Sequence, residues 1–169
     1  MQDYVNFIIR LLLCFIPISA FILIFTPITI YLVYFFFFNF NPVIINNILV
    51  INKSSFEFIE ACIVPYAYYF LWILCLLTKD IILKTRIKVI IYGFLLIFLM
   101  NILRISLLIY LSINYGEYWF NLVHMFFWKF LSGVYVALVW ILLVKIYKIK
   151  SIPIYDDLKD LYKKIKFDH

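Results

Sequence analysis

Charged side chains are scarce in this sequence. Lys, Arg, Asp and Glu make up 14% of the 169 residues, whereas a typical soluble domain carries about 25%. Hydrophobic residues account for 67% of the chain. A surface with so few charges could not be kept in water, so the composition excludes an ordinary soluble domain.

Cysteine is also rare, and several common catalytic motifs are missing. The three cysteines, Cys14, Cys62 and Cys75, show neither even pairing nor close spacing, which argues against a disulfide framework and against a zinc cluster. The chain lacks Cys-x-x-Cys for disulfide transfer, His-Glu-x-x-His for a metalloprotease and Gly-x-Ser-x-Gly for a serine hydrolase. No small-residue cleavage site follows the first apolar run, so we expect no cleavable signal peptide.

Long apolar runs are what the sequence does have. Crossing about 30 Å of hydrocarbon takes roughly 20 helical residues, and four uncharged or nearly uncharged stretches are candidates. The expected spans are residues 11–38, 61–77, 89–113 and 123–144. Pro17 and Pro27 interrupt the first span and predict kinks there. The expected fold is an all-α integral membrane protein, a bundle of about four transmembrane helices that forms one domain over residues 1–150.

Lys and Arg are concentrated on one side of the predicted bundle. Four lie in residues 78–88 and seven follow Val144, whereas residues 39–60 contain only Lys53 and residues 114–122 contain none. Basic loops stay in the cytoplasm, so both termini are expected inside a multi-pass cell-membrane protein and the other two loops outside. The net charge of +6 is then an anchoring asymmetry and does not point to nucleic acid.

Two segments outside the spans have patterns of their own. In the outer loop, two β-prone runs flank Asn-Lys-Ser-Ser and predict a small hairpin or a cap on the membrane surface: Ile48–Ile51 and Phe56–Ile59. Asn52 begins a formal glycosylation sequon, which is a weak signal. Residues 151–169 form a basic cytoplasmic tail with apolar residues at helical spacing, consistent with an amphipathic helix on the inner leaflet or with a solvated tail.

This topology places three chemically competent residues at one depth. If the third helix leaves the hydrocarbon near Ile109, Arg104 lies about five residues, or about 7.5 Å, below the outer surface, while Cys62 and His124 open the second and fourth spans. A thiolate can attack a carbonyl, a histidine can move the proton and an arginine can stabilise the oxyanion. Pro65 disfavours helix at the preceding residue, so Cys62 is expected beside a helix N-terminus. There the helix dipole and Arg104 would lower the thiol pKa.

Each of these residues also has an ordinary structural interpretation. A lone membrane cysteine is usually a small hydrophobic side chain, as we expect for Cys14 and Cys75. His124 could be an interfacial residue, and Arg104 could bind a backbone carbonyl. Lys129, five positions from His124, is expected on another helix face, with its amine reaching the interface.

Three short stretches together resemble the signature of the exosortase/archaeosortase family: Glu60-Ala61-Cys62, Asn101-Ile102-Leu103-Arg104 and the later His124. The order Cys, Arg, His on three successive helices matches, over roughly residues 57–144. The resemblance implies a multi-pass membrane cysteine transpeptidase in which Cys62 is the nucleophile and the arginine and histidine complete the site. Glu60 and Asn101 match the family pattern as well and are expected to support it.

The resemblance also implies a role in protein sorting. The substrate would be a secreted protein whose C-terminus carries a short motif, a transmembrane helix and a basic cluster. Cleavage near the outer membrane face would leave a thioester on Cys62, and the acyl group would pass to water, an amine or a membrane lipid. No metal or organic cofactor is needed for that route. The chain departs from the family in having Ile63-Val64 where Ser-Gly often follows the cysteine, and it is closer in size to the small archaeal enzymes than to the bacterial ones.

Two classes without this chemistry stay open. A non-enzymatic membrane scaffold or assembly factor would tolerate the loss of the Cys62 thiol. A small anion transporter would use Arg104 to bind its ion, but it would need repeated polar positions along a pore, and the sequence offers one or two. If the chain is an enzyme, the side chains of Cys62, Arg104 and His124 should converge within about 8 Å.

Overall fold

The described chain is mostly helical, with one small sheet. The structure is a computed structural model that describes residues 2–51, 54–79, 81–127, 132–151 and 153. The α-helices are α1 (Gln2–Leu13), α2 (Ile18–Phe36), α3 (Glu60–Ile63), α4 (Pro65–Leu77), α5 (Leu83–Tyr115), α6 (Glu117–Phe126) and α7 (Ser132–Ile146). The sheet lies between α2 and α3 and contains β1 (Val43–Ile45), β2 (Ile48–Ile51) and β3 (Ser54–Glu57), preceded by a 3₁₀ turn at Phe38–Phe40.

Among the described residues, two helices are long and apolar enough to cross a membrane, judged by their length and composition. They are α2, with 19 residues and a mean hydropathy of 2.1, and α5, with 33 residues and a mean hydropathy of 2.3. At 1.5 Å per residue they reach about 28 Å and about 50 Å. Side chains such as Leu23 and Phe35 on α2 are 77% and 73% exposed, which suits contact with lipid. The apolar helices α4 and α7 are shorter, with 13 and 15 residues.

Prolines set the helix boundaries in the first half of the chain. The expected span 11–38 is divided, since α1 ends at Leu13 and α2 begins directly after Pro17, while Pro27 lies inside α2. The expected second span began at Ala61, but α4 begins at Pro65. Proline is favoured at the first position of a helix because the backbone N–H that it lacks has no partner there. These boundaries correct the hydropathy prediction.

A glycine sets the boundary between α5 and α6. Gly116 has φ 82° and ψ −178°, and α6 starts at the next residue. Only glycine reaches that region readily. Gly116 is thus the single residue that joins α5 to α6, and its backbone conformation ends α5 there. Residues 114–122, expected as a loop, are therefore mostly helical. His124 lies in the last turn of α6 and not at the start of a helix, which corrects that expectation. Lys129 lies outside the described residues.

The interior of the helical bundle is filled by apolar and aromatic side chains of α2, α4, α5 and α7. The rings of Phe25 and Tyr68 are stacked with centroids 3.9 Å apart. A side chain at Gly93 would collide with Leu71 of α4 and approach Leu143 of α7. The glycine therefore lets α5 lie close to both neighbouring helices.

The sheet covers one end of this bundle. Its antiparallel strand order is β1-β2-β3. Leu49 and Ile51 of β2 are fully buried and pack in one cluster with Ile105 and Ile109 of α5. The predicted hairpin is confirmed, although β3 begins two residues earlier than expected and β1 was not predicted. Asn52 of the sequon and residues 154–169 of the tail lie outside the described residues.

At the other end of the bundle, two arginines bind the carbonyls that terminate α4. Arg86, which is 8% exposed, donates hydrogen bonds from its Nη atoms to the carbonyl oxygens of Leu76 at 3.4 Å and Thr78 at 2.9 Å. Arg10 of α1 donates to the same two oxygens, at 3.2 Å each. A helix leaves its last carbonyls without intrahelical partners, and these guanidinium groups supply them.

Candidate functional site

The Cys62 thiol is positioned by a short connection from the sheet to the helices. After β3, Phe58 is 5% exposed and Ile63 is 1% exposed, so both anchor the segment in the core. Between them, the backbone N–H of Cys62 donates to the carbonyl oxygen of Ile59 at 2.9 Å. The thiol, which is half-buried, points back toward β3 and lies 4.0 Å from the carbonyl oxygen of Glu57.

The backbone is strained at Val64, two residues after the cysteine. Val64 has φ 51° and ψ 47°, the left-handed region, which costs an L-residue about 1 to 2 kcal/mol and is an outlier for a β-branched side chain. Pro65 disfavours the right-handed helical conformation at Val64, so α3 and α4 cannot merge into one helix. The break expected from Cys-Ile-Val-Pro is confirmed, and it separates the cysteine segment from α4.

Asn101 and Arg104 of α5 bind the backbone of the cysteine segment. The Nδ2 atom of Asn101 donates to the carbonyl oxygen of Cys62 at 2.8 Å. The Nη2 atom of Arg104 donates to the carbonyl oxygens of Ala61 and Cys62, at 3.2 Å each. The two residues lie one helical turn apart, as their spacing predicts. The structure therefore brings Cys62, Asn101 and Arg104 together.

Asn101, Arg104 and Tyr68 form a buried polar cluster, and some of its polar atoms have no hydrogen-bond partner among the described residues. Asn101 is 4% exposed and Arg104 is 8% exposed. Within the described residues, the Arg104 Nε, the Asn101 Oδ1 and the Tyr68 hydroxyl are buried and make no hydrogen bond, and no carboxylate pairs with Arg104. Leaving such groups unpaired is costly, on the order of 1 to 3 kcal/mol each. A ligand that offers an acceptor to Arg104 would recover part of this cost.

A cavity of about 40 Å³ lies beside the cluster. Its walls are mostly apolar and come from α4, α5 and α7, including Ala67, Met100 and Val136, and Asn101 and Arg104 form its polar side. A water molecule needs about 10 to 15 Å³ of such space, so the cavity is small. Neither Cys62 nor His124 lines it.

Burial dominates the acidity of the nucleophile candidate. Burial raises the pKa of the Cys62 thiol above its ordinary value. A hydrogen bond between the sulfur and the Ile59 backbone and the positive charge of Arg104 act to lower that pKa, but their effect is smaller. The expectation that a helix end and Arg104 would produce a net lowering is therefore wrong, because the desolvation of the thiolate outweighs them. Near neutral pH, Cys62 is therefore in its thiol form.

His124 and Glu60 are less closely tied to the cluster. The His124 ring is half-buried, with its centroid 5.5 Å from that of Phe120. In the described part of the chain, no hydrogen bond joins His124 to Cys62 or Arg104, and its convergence with them stays a prediction. Glu60 is exposed and is the first residue of α3, where a negative charge is favourable near the helix N-terminus.

Sequence reasoning overlooked Tyr68. Its side chain is fully buried and its hydroxyl interacts electrostatically with Arg104. The chain has 14 tyrosines, and nothing in their pattern shows which hydroxyl is buried away from water. Its position one helical turn after Pro65 is the one available hint, since it shares a helix face with the start of α4.

No protein-family model, no curated protein and no solved structure matches this chain.

Proposed function

We propose that this chain is a membrane cysteine transpeptidase of the exosortase/archaeosortase type with Cys62 as its nucleophile. The observation that carries the proposal is the buried cation beside the cysteine. Arg104 binds the backbone of Cys62 with one nitrogen, while its Nε is buried without a partner in the described residues. A preorganised donor in a dry site is what a developing oxyanion requires.

The reaction would proceed in two steps, the acylation of Cys62 and the transfer of the acyl group to an acceptor. The Cys62 sulfur forms a bond to the scissile carbonyl carbon while His124 takes the thiol proton, and the negative charge collects on the carbonyl oxygen facing Arg104. The C–N bond then breaks as His124 returns the proton to the leaving amine. In the second step, water, an amine or a lipid nucleophile attacks the thioester and its proton returns to the Cys62 sulfur.

The proposal includes four membrane crossings, by α2, α4, α5 and the fourth expected span, residues 123–144. The Lys and Arg asymmetry supports a topology with both termini in the cytoplasm and with the sheet and Cys62 outside. The substrates would be secreted proteins with a C-terminal motif, a transmembrane helix and a basic cluster, and nucleic acid would have no part. With its scissile bond just outside such a helix, a substrate would meet Cys62 at the membrane surface.

A non-enzymatic scaffold or assembly role is the alternative that a specific observation favours. Arg86, at the other end of the bundle, also binds helix-terminal carbonyls, so a buried arginine in this fold can be structural. An anion transporter is less well supported, since the described lining of the cavity next to Arg104 is mainly apolar.

The direct test is to look for the acyl-enzyme. The protein, purified from its own cells in detergent, should carry a peptide-derived adduct on Cys62 that intact-protein and peptide mass spectrometry detect and that hydroxylamine removes. If no hydroxylamine-sensitive adduct forms on Cys62 under any growth condition, the scaffold becomes the better account.

The orientation can be tested by labelling. In a background with the three native cysteines replaced by alanine, Ser55→Cys and Glu117→Cys should react with a membrane-impermeant maleimide added to intact cells, whereas Thr85→Cys should react only after lysis. The reason is that Thr85 lies in the basic, cytoplasmic segment. The opposite labelling pattern would put Cys62 in the cytoplasm, where a sorting role makes no sense.

The role of His124 predicts a pH dependence. Because the pKa of Cys62 is raised, the thiol form persists through neutral pH and a base must remove its proton. His124→Ala should therefore slow acylation strongly at neutral pH, by roughly 10² or more. The defect should shrink as the pH rises toward the thiol pKa, because the thiolate then forms unaided. A defect that is constant over the whole pH range would remove His124 from this role.

A further inference from the structure

The strand next to Cys62 is an open edge of the sheet. We propose that a substrate polypeptide adds to β3 as a fourth, extended strand and that this pairing delivers its scissile carbonyl to the Cys62 thiol. The inference rests on the proposed transpeptidase function and names how its substrate is held. An edge strand offers unpaired backbone groups that a second chain can use, with main-chain hydrogen bonds giving the affinity.

The register shows which groups are open. In the β2–β3 pairing, Ile48 lies opposite Glu57 and Val50 opposite Ser55. The N–H of Phe58 donates to the carbonyl oxygen of Asn47 at 2.8 Å, which makes that pair a hydrogen-bonded one. Antiparallel pairs alternate between hydrogen-bonded and non-hydrogen-bonded positions. Ser55 and Glu57 are therefore at non-hydrogen-bonded positions, and their backbone groups point away from β2.

The outward side of β3 is accessible at these two positions. Ser55 and Glu57 are both exposed. Among the described residues, no hydrogen bond from outside the sheet reaches the backbone of Ser55, and only the Cys62 thiol reaches that of Glu57. An incoming strand could thus exchange two hydrogen bonds with Ser55.

The thiol lies where the added strand would pass. Neighbouring strands are about 4.7 to 4.9 Å apart, and the Cys62 sulfur is 4.0 Å from the outward-facing carbonyl oxygen of Glu57. Because that oxygen itself projects outward from β3, a sulfur 4.0 Å from it lies beside the path of the added backbone. A strand paired with Ser55 would meet the sulfur at the level of Glu57, so its carbonyl there becomes the one that is attacked.

The other edge of the sheet has no comparable arrangement. By the same alternation, Ile44 is the residue of β1 whose backbone points outward, because Ile45 and Val43 lie opposite Ile48 and Val50. Its side chain is packed against the core, and residues 38–47, which contain β1, include no cysteine. A chain added there would reach no nucleophile, which selects β3.

Charge and depth restrict the occupant. Glu57 on β3 and Glu60 at the start of α3 are exposed carboxylates, and like charges directly opposite each other in a sheet are destabilising. The segment should therefore carry no acidic residue opposite Glu57. The sheet packs on Ile105 and Ile109 of α5, within one of the two membrane-crossing candidates. Under the proposed function, the occupant is the extended segment that precedes the transmembrane helix of the substrate's sorting signal.

The experiment compares two substitutions at one position. Ser55→Pro and Ser55→Ala both remove the hydroxyl, but only proline removes the outward N–H, which β2 does not use. The probe is a synthetic peptide with the sequence recovered from the Cys62 adduct, and the readout is the rate of acyl-enzyme formation against peptide concentration. Ser55→Pro should need roughly tenfold more peptide than Ser55→Ala for half-maximal rate, as expected for the loss of one hydrogen bond, with a similar maximal rate.

A second measurement uses the unaltered protein. Peptides N-methylated at successive backbone positions should alternate between strong and weak acylation, because every second N–H faces β3. Equal concentration dependence in the two Ser55 variants together with no alternation would overturn the strand pairing alone, since acylation would still occur. No adduct on the unaltered protein would overturn the proposed function and this pairing with it.

Discussion

Cys62→Ala and Cys62→Ser are expected to abolish acyl-enzyme formation and to leave the protein folded and inserted. The chemical step needs a sulfur nucleophile, and a serine hydroxyl is a far weaker one at neutral pH. The structural cost should be small, on the order of 1 kcal/mol, because the thiol is half-buried and its contact with the Glu57 carbonyl oxygen is long at 4.0 Å.

The other two cysteines provide matched controls. The Cys14 sulfur contacts the carbonyl oxygen of Arg10, and the Cys75 sulfur contacts that of Arg86, so both lie near the arginines at the opposite end of α4. Cys14→Ala and Cys75→Ala should leave the amount of hydroxylamine-sensitive adduct per folded protein unchanged. If Cys62→Ala still processes a C-terminally signalled partner at the normal rate, the chain is a scaffold and the thiol is incidental.

Composition and hydropathy predicted the main helices but not where they end. A hydropathy window detects α2 and α5 because their apolar runs are continuous, and it cannot detect a backbone break inside such a run. The breaks depend on single residues, Pro17, Pro65 and Gly116, whose backbone limits override the apolar pattern. Local propensity was enough for the hairpin, since β-branched runs flank a short polar turn.

The polar cluster was predictable for a different reason. An arginine and an asparagine in an otherwise apolar helix are costly, so they stand out in the sequence and must have a partner. The interpretation that Arg104 binds a backbone carbonyl is confirmed, but which carbonyls bind Arg104 and Asn101 could not be predicted, because the carbonyls of the Cys62 segment have no sequence signature. The sign of the thiol pKa shift was missed because it depends on burial, which competes with the nearby charge and is visible only after folding.

Arg104→Lys is expected to slow acyl-enzyme formation by about 10² to 10³, the loss typical of one oxyanion donor. Lysine keeps the positive charge but is a compact ammonium without the planar fork of a guanidinium. It cannot at once hold the carbonyls of Ala61 and Cys62 and direct a further N–H at a developing oxyanion. The measurement is the single-turnover rate of acylation by the synthetic peptide, normalised to folded protein.

Two comparisons separate an oxyanion role from a structural one. Arg86→Lys alters a similarly buried, carbonyl-binding arginine at the other end of the bundle, so it should leave acylation unchanged. Alkylation of Cys62 by iodoacetamide builds no oxyanion, because the sulfur displaces iodide at a saturated carbon. Arg104→Lys should therefore alkylate at nearly the normal rate while its acylation fails. If alkylation and acylation fall together, and Asn101→Ala lowers both as well, then Arg104 only holds the Cys62 segment in place and the oxyanion must be stabilised elsewhere.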